Sequence, residues 1–416
     1  MMRMSAVDRR QFVTGAVAAG MSALLPTSLS AASVSRTWRR GELQIHFIYT
    51  GLAESIFVIL PDSTSILLDC GDNSGPKDGR WPIPVPQGLS VSAGETVARY
   101  VAQVNPNGSA VDYMVLTHFH GDHCGNAELS ISRLPGERGF CESGFGAALE
   151  TLTFRRAIDR GWPDYNRPRP LVDQPKELEH MKAIYAFLAK RDGLKIERIR
   201  VGERNQIAPL HGGKGCKQLS VFNLAANGVI ADERTGRTRD WYARFPGGRI
   251  DENAMSIAFI LSFGKFRFYT GGDLYGFVWD EDGTRKWLEN VALPSAISAR
   301  VHVAKTNHHA SDSMSAETCR ALSPQVWVSQ VWNPLQNKDA ALNEMAGTGG
   351  SVFYPGWLDA KRLEAPESVA WRDMVERTAI GGSHTVVTVA PGGKSYSVAA
   401  VRPSDGNVLS TRRFTC

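Results

Sequence analysis

The run Thr117-His118-Phe119-His120-Gly121-Asp122-His123 places three imidazoles and a carboxylate within six residues. Neutral nitrogen and hard oxygen donors at that density suit a pair of divalent metal ions. Only ten histidines occur in 416 residues, so three in one short run is more than an ordinary polar loop supplies. His118 and His120 alternate and can share one ion, while Asp122 and His123, beyond Gly121, can face a second. Further on, Gly271-Gly272-Asp273 follows Phe266-Arg267-Phe268-Tyr269-Thr270, and a carboxylate there could bridge two ions. Asn307-His308-His309-Ala310-Ser311 follows Val301-His302-Val303-Ala304-Lys305, and one imidazole of the pair would complete the second ion's shell. A lone Asp after a strand is also an ordinary turn residue. It is the recurrence of three such groups, each at a strand end, that points to a single site.

The elements needed to aim these residues are legible in outline. Tyr113-Met114-Val115-Leu116 is a short buried-strand pattern, and Gly121 permits a sharp turn after it. The donors therefore belong on a loop carried by a rigid scaffold. Strand pairs run from Leu43 to Asp69, followed by a Pro/Gly-rich connection from Gly71 to Gly88 and a helix near Ala93 to Val104. Residues 141–215 read as an insertion of helices and loops, and strands resume from Leu219 through Asp273 with a loop at Asp232 to Gly248. Ser383 to Ala390, Pro391-Gly392-Gly393 and Ser395 to Val401 predict a β-hairpin. No flexible linker precedes it, so residues 336–416 are expected to pack on the main domain. The class is α/β.

The order HxHxDH, later Asp, final His resembles the metallo-β-lactamase superfamily, and within it the hydrolase domain of ComEC-type competence proteins and their free-standing secreted relatives. Leu43 to Ile48 with Gly51 to Ile56 is similar to that family's first hairpin. Ile66-Leu67-Leu68-Asp69-Cys70-Gly71 is similar to its second strand, and Asn307 to Ser311 to its HHGS segment. Glu252-Asn253-Ala254-Met255-Ser256 and Thr270 to Asp273 resemble the paired strands that lead to the bridging Asp. The likeness covers about residues 42–335. It implies a four-layer αββα sandwich with two zinc ions held by His118, His120, Asp122, His123, Asp273 and His309. Asp69 and Asn253 would brace these ligands from behind. Zinc is favoured over iron because the second motif position is His120, where iron-using redox relatives carry Glu; manganese is an alternative.

The chain departs from the family pattern between the motif and the bridging Asp, where many relatives carry a third histidine for the first metal. The interval holds only His180 and His211. His180 sits among Glu177, Glu179 and Lys182 and is expected to be a solvated surface residue; His211, in a Gly-rich turn, is expected to be exposed too. The segment Val221 to Gly228 aligns best with the missing ligand and offers Asn227, a weak donor at most. Val331-Trp332-Asn333-Pro334 stands where competence proteins carry an additional Asn and His. Trp162, Tyr165 and Arg167, with Arg239, Trp241, Tyr242 and Arg244, are candidates for a cleft wall, although such residues also pin long loops to a core. Lys305 is a candidate contact for an anionic substrate.

Asp8-Arg9-Arg10-Gln11-Phe12-Val13, a mild apolar stretch from Gly15 to Leu25 and then Ser30-Ala31-Ala32 form a twin-arginine export signal over residues 1–32. The expected partner is the twin-arginine translocase, and the expected location is periplasmic or secreted, without stable membrane insertion. A formal net charge of +5, part of it in the leader, lacks the marked basic footprint of a nucleic-acid wrapper. Nucleic acid therefore enters only as a substrate. Six cysteines are too few to scaffold a chain of this size, though one or two pairs could form after export. Two bridged ions would lower the pKa of a shared water toward ~7, giving hydrolysis by hydroxide. Asp122 would bind metal and orient that nucleophile, and His308 would serve the leaving group. Phosphodiesters are the preferred substrates; β-lactams or lactones, or metal binding without turnover, are the alternatives.

Overall fold

The protein is described from a computed structural model covering residues 37–73, 83–86, 92–127, 138–168, 170, 175–244, 251–274, 277–279 and 285–416. Residues 1–32, expected from their pattern to be a twin-arginine signal, lie outside the described residues.

Alternation of apolar residues along the strands determines how the layers stack. In Ser65–Leu68, Ile66 and Leu68 belong to one apolar cluster and Leu67 to another. In Ala258–Phe263, Phe259 and Leu261 share the cluster of Ile66, while Ile260 faces a third. Side chains two apart on a strand share a face, so each sheet has an inner and an outer apolar side. The cluster common to both sheets is the central core. The helices Ala93–Val104 and Pro175–Asp192 bury Val97, Val101, Met181 and Ile184 in the outer cluster of the first sheet. Leu293, Leu322 and Leu342, from three further helices, fill that of the second. The result is helix, sheet, sheet, helix.

The first sheet has nine strands in the order Val408–Thr415, Ser395–Val401, His384–Val389, Leu43–Phe47, Ile56–Ile59, Ser65–Leu68, Ala110–Val115, Thr153–Asp159, Lys195–Arg198. The second has eight: Val352–Tyr354, Val326–Val328, Val303–Lys305, Phe266–Thr270, Ala258–Phe263, Leu219–Ala226, Val229–Ala231, Thr238–Asp240. Residues after 335 thus supply strands to both sheets. The tail hairpin pairs His384 with Val401 and continues into a third strand, Val408–Thr415, which is mostly exposed. Its Ser-Thr-Arg-Arg centre carries no apolar alternation, so only pairing with Ser395–Val401 makes it a strand. Two strands also occur within residues 141–215, beside the expected helix.

The fold brings the chemically active loops together because parallel strands end on one side. Ser65–Leu68 runs parallel to Ala110–Val115, which leads into Thr117-His118. Phe266–Thr270 runs parallel to Val303–Lys305, which leads into Asn307 to Ala310. No helix among the described residues is long and apolar enough to cross a membrane, and all six cysteines are unpaired.

Candidate metal centre

Asp69 organises the histidine loop from beneath. Its Oδ1 accepts the Thr117 N–H at 2.8 Å, its Oδ2 accepts the Thr117 hydroxyl at 2.8 Å, and the same Oδ2 lies 2.8 Å from His123 Nδ1. That bond places the proton on Nδ1 and leaves His123 Nε2 free to donate its lone pair. Past His120 the chain forms one helical turn, Gly121–Cys124. Gly71 makes room for it: a Cβ there would stand 1.8 Å from the Asp122 carbonyl oxygen.

The other contributors arrive from the second sheet. Asp273 Oδ2 lies 3.2 Å from His123 Nε2 and 3.2 Å from His309 Nε2. Asp122 Oδ2 lies 3.1 Å from His309 Nε2 and 3.7 Å from His123 Nε2. Four donors around one tetrahedral ion with bonds of about 2.0–2.1 Å stand roughly 3.3 Å apart, which is this spacing. His309 Nδ1 bonds the Gln330 carbonyl at 2.7 Å, turning its Nε2 inward as Asp69 does for His123. The buried Nε2 atoms of His118 and His123 have no hydrogen-bond partner. Buried nitrogens without partners are costly, and a metal ion relieves that cost. The residues present therefore fit the group.

Charge points the same way. Burial would lower His309, but Asp273 and Asp122 outweigh it and raise the imidazole to about 10. His123 is raised well above its ordinary value against burial by Asp273, Asp122 and Asp69. His118 is held well below it by burial, with His123 and His120 adding to the effect. Protons on the imidazoles and a divalent cation are alternative ways to balance the same carboxylates.

His118 and His120 stand side by side, ring centroids 4.7 Å apart, with His120 half-buried. Behind them Glu252 accepts the N–H of Phe119 at 2.9 Å and is gripped by Arg160 through two bonds of 2.6 Å, both side chains fully buried. Asn253 lies 3.3 Å from His308 Nε2 and has a buried Oδ1 without a hydrogen-bond partner. The backbone carries His308, His309 and Ala310 at φ of 44, 53 and 52°. Three successive non-glycine residues in the left-handed region store strain of ~1–3 kcal/mol each.

Several expectations are corrected. Asn227 does not turn toward His118 and His120: its Oδ1 accepts from Arg160 at 3.0 Å and its amide donates to the Arg160 carbonyl. His180 is buried against Phe140, where it accepts the Cys141 N–H. His211 is exposed, as its Gly-rich turn implied, and pairs with Asp112 at 2.8 Å. Lys305 is fully buried, 2.9 Å from Glu54 and 3.6 Å from Asp273, and so cannot meet a substrate. Tyr165 is a buried anchor bonded to Asp159 at 2.6 Å, and with Trp162 it borders a surface hollow of about 580 Å³. Arg167 and Tyr242 line a separate cavity of about 730 Å³ with Arg198 and Asn227, and no histidine of the cluster borders either space. Trp241 is buried and Arg239 is exposed.

Two residues at the cluster escaped sequence reasoning. Trp332 donates its indole N–H to Asp122 Oδ2 at 2.6 Å. Glu54 joins His123, Asp273 and His309 in a buried group whose ligand-type atoms lie within 4.8 Å of one another and could hold a metal ion. Glu54 had a sequence signal, an acidic residue amid an apolar hairpin; Trp332 had none.

Residues 49–184 match the family profile of the metallo-beta-lactamase superfamily. Among solved structures, a mutant form of the CmlA beta-hydroxylase matches with a TM-score of 0.38 and 10% identity, over 75% of this chain and 52% of that one. The chain thus spans about half the length of that protein. A search of curated proteins gives no match in sequence.

Proposed function

We propose that this protein is an exported hydrolase that holds two divalent ions, zinc or alternatively manganese, and acts on phosphodiesters. The observation that carries the reading is the convergence of Asp122, His123, Asp273 and His309 at spacings of 3.1 to 3.7 Å around inward-facing Nε2 atoms. His118 and His120 supply donors for the other ion, which is held more weakly because the neighbouring His123 ring turns its Nε2 to Asp122 and Asp273. When bound, the ions supply Lewis acidity toward water and toward the oxygen of the scissile bond.

The protein's own groups hold and orient. Asp69, Gln330 and Thr117 fix the imidazole tautomers. Asp122 is positioned by the Trp332 indole and bears on the nucleophilic water. His308, kept mostly neutral by burial, offers a hydrogen bond to the leaving group. Formal charges of Glu54, Asp69, Asp122 and Asp273 against Lys305 leave three negative charges, which two divalent ions convert to one positive. A single positive charge suits a phosphodiester monoanion without any free Arg or Lys. A second reading, a neutral lactone or β-lactam, is favoured by the fact that Arg160 and Lys305 both face buried carboxylates.

The test is hydrolysis of bis(p-nitrophenyl) phosphate by the mature, zinc-loaded protein beside Asp122→Ala. Turnover in the first that falls by at least ~10³-fold in the second supports the proposal. Two bound metals per chain without phosphodiester turnover moves lactones, β-lactams and simple metal binding to the front. Export rests on the residue pattern of positions 1–32; Arg9→Lys/Arg10→Lys should leave the precursor uncleaved in the cytoplasm, and normal export of that variant would sink this part.

A further inference from the structure

We infer that the buried Lys305–Glu54 pair is a positioning device that lets Asp273 offer one oxygen, not two, to the metal centre. Lys305, Glu54 and Asp273 are essentially inaccessible to solvent. Asp273 Oδ2 faces His123 and His309 at 3.2 Å each, whereas Oδ1 has no hydrogen-bond partner and lies 3.6 Å from Lys305 Nζ. The same ammonium donates to the Gly272 carbonyl at 2.6 Å, so it holds both the peptide before Asp273 and the outer oxygen of its side chain.

Glu54 carries that restraint to the other two loops. Its N–H donates to the Asp122 carbonyl at 2.9 Å, and its carbonyl accepts the Gly71 N–H at 3.1 Å. Its Oε2 is 2.9 Å from Lys305 and 3.6 Å from His309 Nδ1. That contact is on the far side of the imidazole from Nε2, which faces Asp122 and Asp273. The Oε2 of Glu54 therefore backs the His309 ring from the side away from Asp122 and Asp273. One ion pair thus ties together the three loops that carry Asp122, Asp273 and His309. Burying two charges costs several kcal/mol per ion after relaxation, and an apolar pair of similar size would fill the space more cheaply. A pair kept at that cost, pointed at the idle oxygen of a bridging carboxylate, acts on the carboxylate.

The inference rests on the reading that this cluster binds divalent ions, not on the substrate. Lys305→Met alone strands a buried carboxylate, so the informative variant is Glu54→Gln/Lys305→Met, which leaves the net charge unchanged. Zinc affinity is measured by competition with a chelator, the visible absorption of the cobalt(II) form reports coordination number, and thermal melting reports the fold. The expected result is a 10–100-fold loss of affinity, with a weaker cobalt band as Asp273 Oδ1 is freed to coordinate, at a near-native melting temperature. Unchanged affinity and spectrum would overturn the inference. A drop in affinity with the native cobalt spectrum would overturn it as well, since the pair would then be structural only. Wild-type protein that binds neither ion would remove the metal reading itself, a distinguishable failure.

Discussion

On one flank of the cluster, Asp122, His123, Asp273 and His309 come from three loops, and their carboxylate-imidazole distances run from 3.1 to 3.7 Å. On the other, His118 and His120 come from a single loop, with His120 half-buried and Asn227 turned away to Arg160. Each flank has one buried ion pair behind it, Lys305–Glu54 for the first and Arg160–Glu252 for the second. The closed flank is assembled by long-range packing and the open one by local chain geometry. Enclosure needs donors from several directions, and one short loop cannot supply them. An ion on the closed flank should therefore bind first and leave last, while the open flank is where substrate can displace or share a ligand.

The largest expected effect breaks this asymmetry at its centre. His309→Ala should weaken the tightly held ion by more than the ~10–100-fold typical of losing an outer partner, whereas His120→Ala should leave one tight ion per chain. Metal content after dialysis against graded chelator reads both, and equal losses would erase the distinction between flanks.

Next in size is the open flank's brace. Arg160→Met leaves Glu252 buried and unpaired and should cost about 3–5 kcal/mol in denaturant unfolding. Arg160→Met/Glu252→Gln should recover most of that stability yet loosen the second ion, because the Phe119 N–H loses its charged acceptor. Recovery of both would show that the pair does nothing for the metals.

A pH effect probes the closed flank through Glu289. Its Oε1 accepts from Asn307 and Met314 at 3.0 Å each, bracing the loop of His308 and His309, and burial pushes its carboxyl up to about 7 against those bonds. A raised carboxyl pKa means the folded state binds the proton more tightly. Stability is then fully present below the unfolded value near 4.3 and is lost as pH rises toward 7, by about 4 kcal/mol in all. Glu289→Gln should flatten that slope between pH 5 and 8 in thermal melts; an unchanged slope would assign it to other groups.

The smallest effect concerns Ala310, at φ 52°. Ala310→Gly relieves left-handed strain of about 1 kcal/mol but gives up a buried methyl and chain entropy of similar size. The net change should stay under about 1 kcal/mol, and a larger shift would mean that the strain is set elsewhere.

The sandwich was legible through the family resemblance alone, since Ile66-Leu67-Leu68 and Phe259-Ile260-Leu261 are unbroken apolar runs whose residues are sorted between layers only when the sheets pack. The motif residues were legible because adjacent histidines on one loop stay adjacent in any fold. What failed were judgements of exposure. His180 read as surface because of its charged neighbours and Lys305 as substrate-facing because it ends a strand before the histidine pair, yet each is buried by elements distant in sequence. Asn227 was misplaced for a similar reason: its partner, Arg160, is separated from it by a whole helix and two strands.

Residue types and local spacing alone determined that metal-type donors sit at strand ends in an α/β chain, since donor chemistry and side-chain periodicity are properties of short segments. Only the tertiary structure decided that Glu54 pairs with Lys305, that Trp332 bonds Asp122, and that one flank closes while the other stays open. Those outcomes depend on which buried charges and unpaired nitrogens come within a few ångströms of each other, and that is settled when the two sheets pack and water is excluded between them.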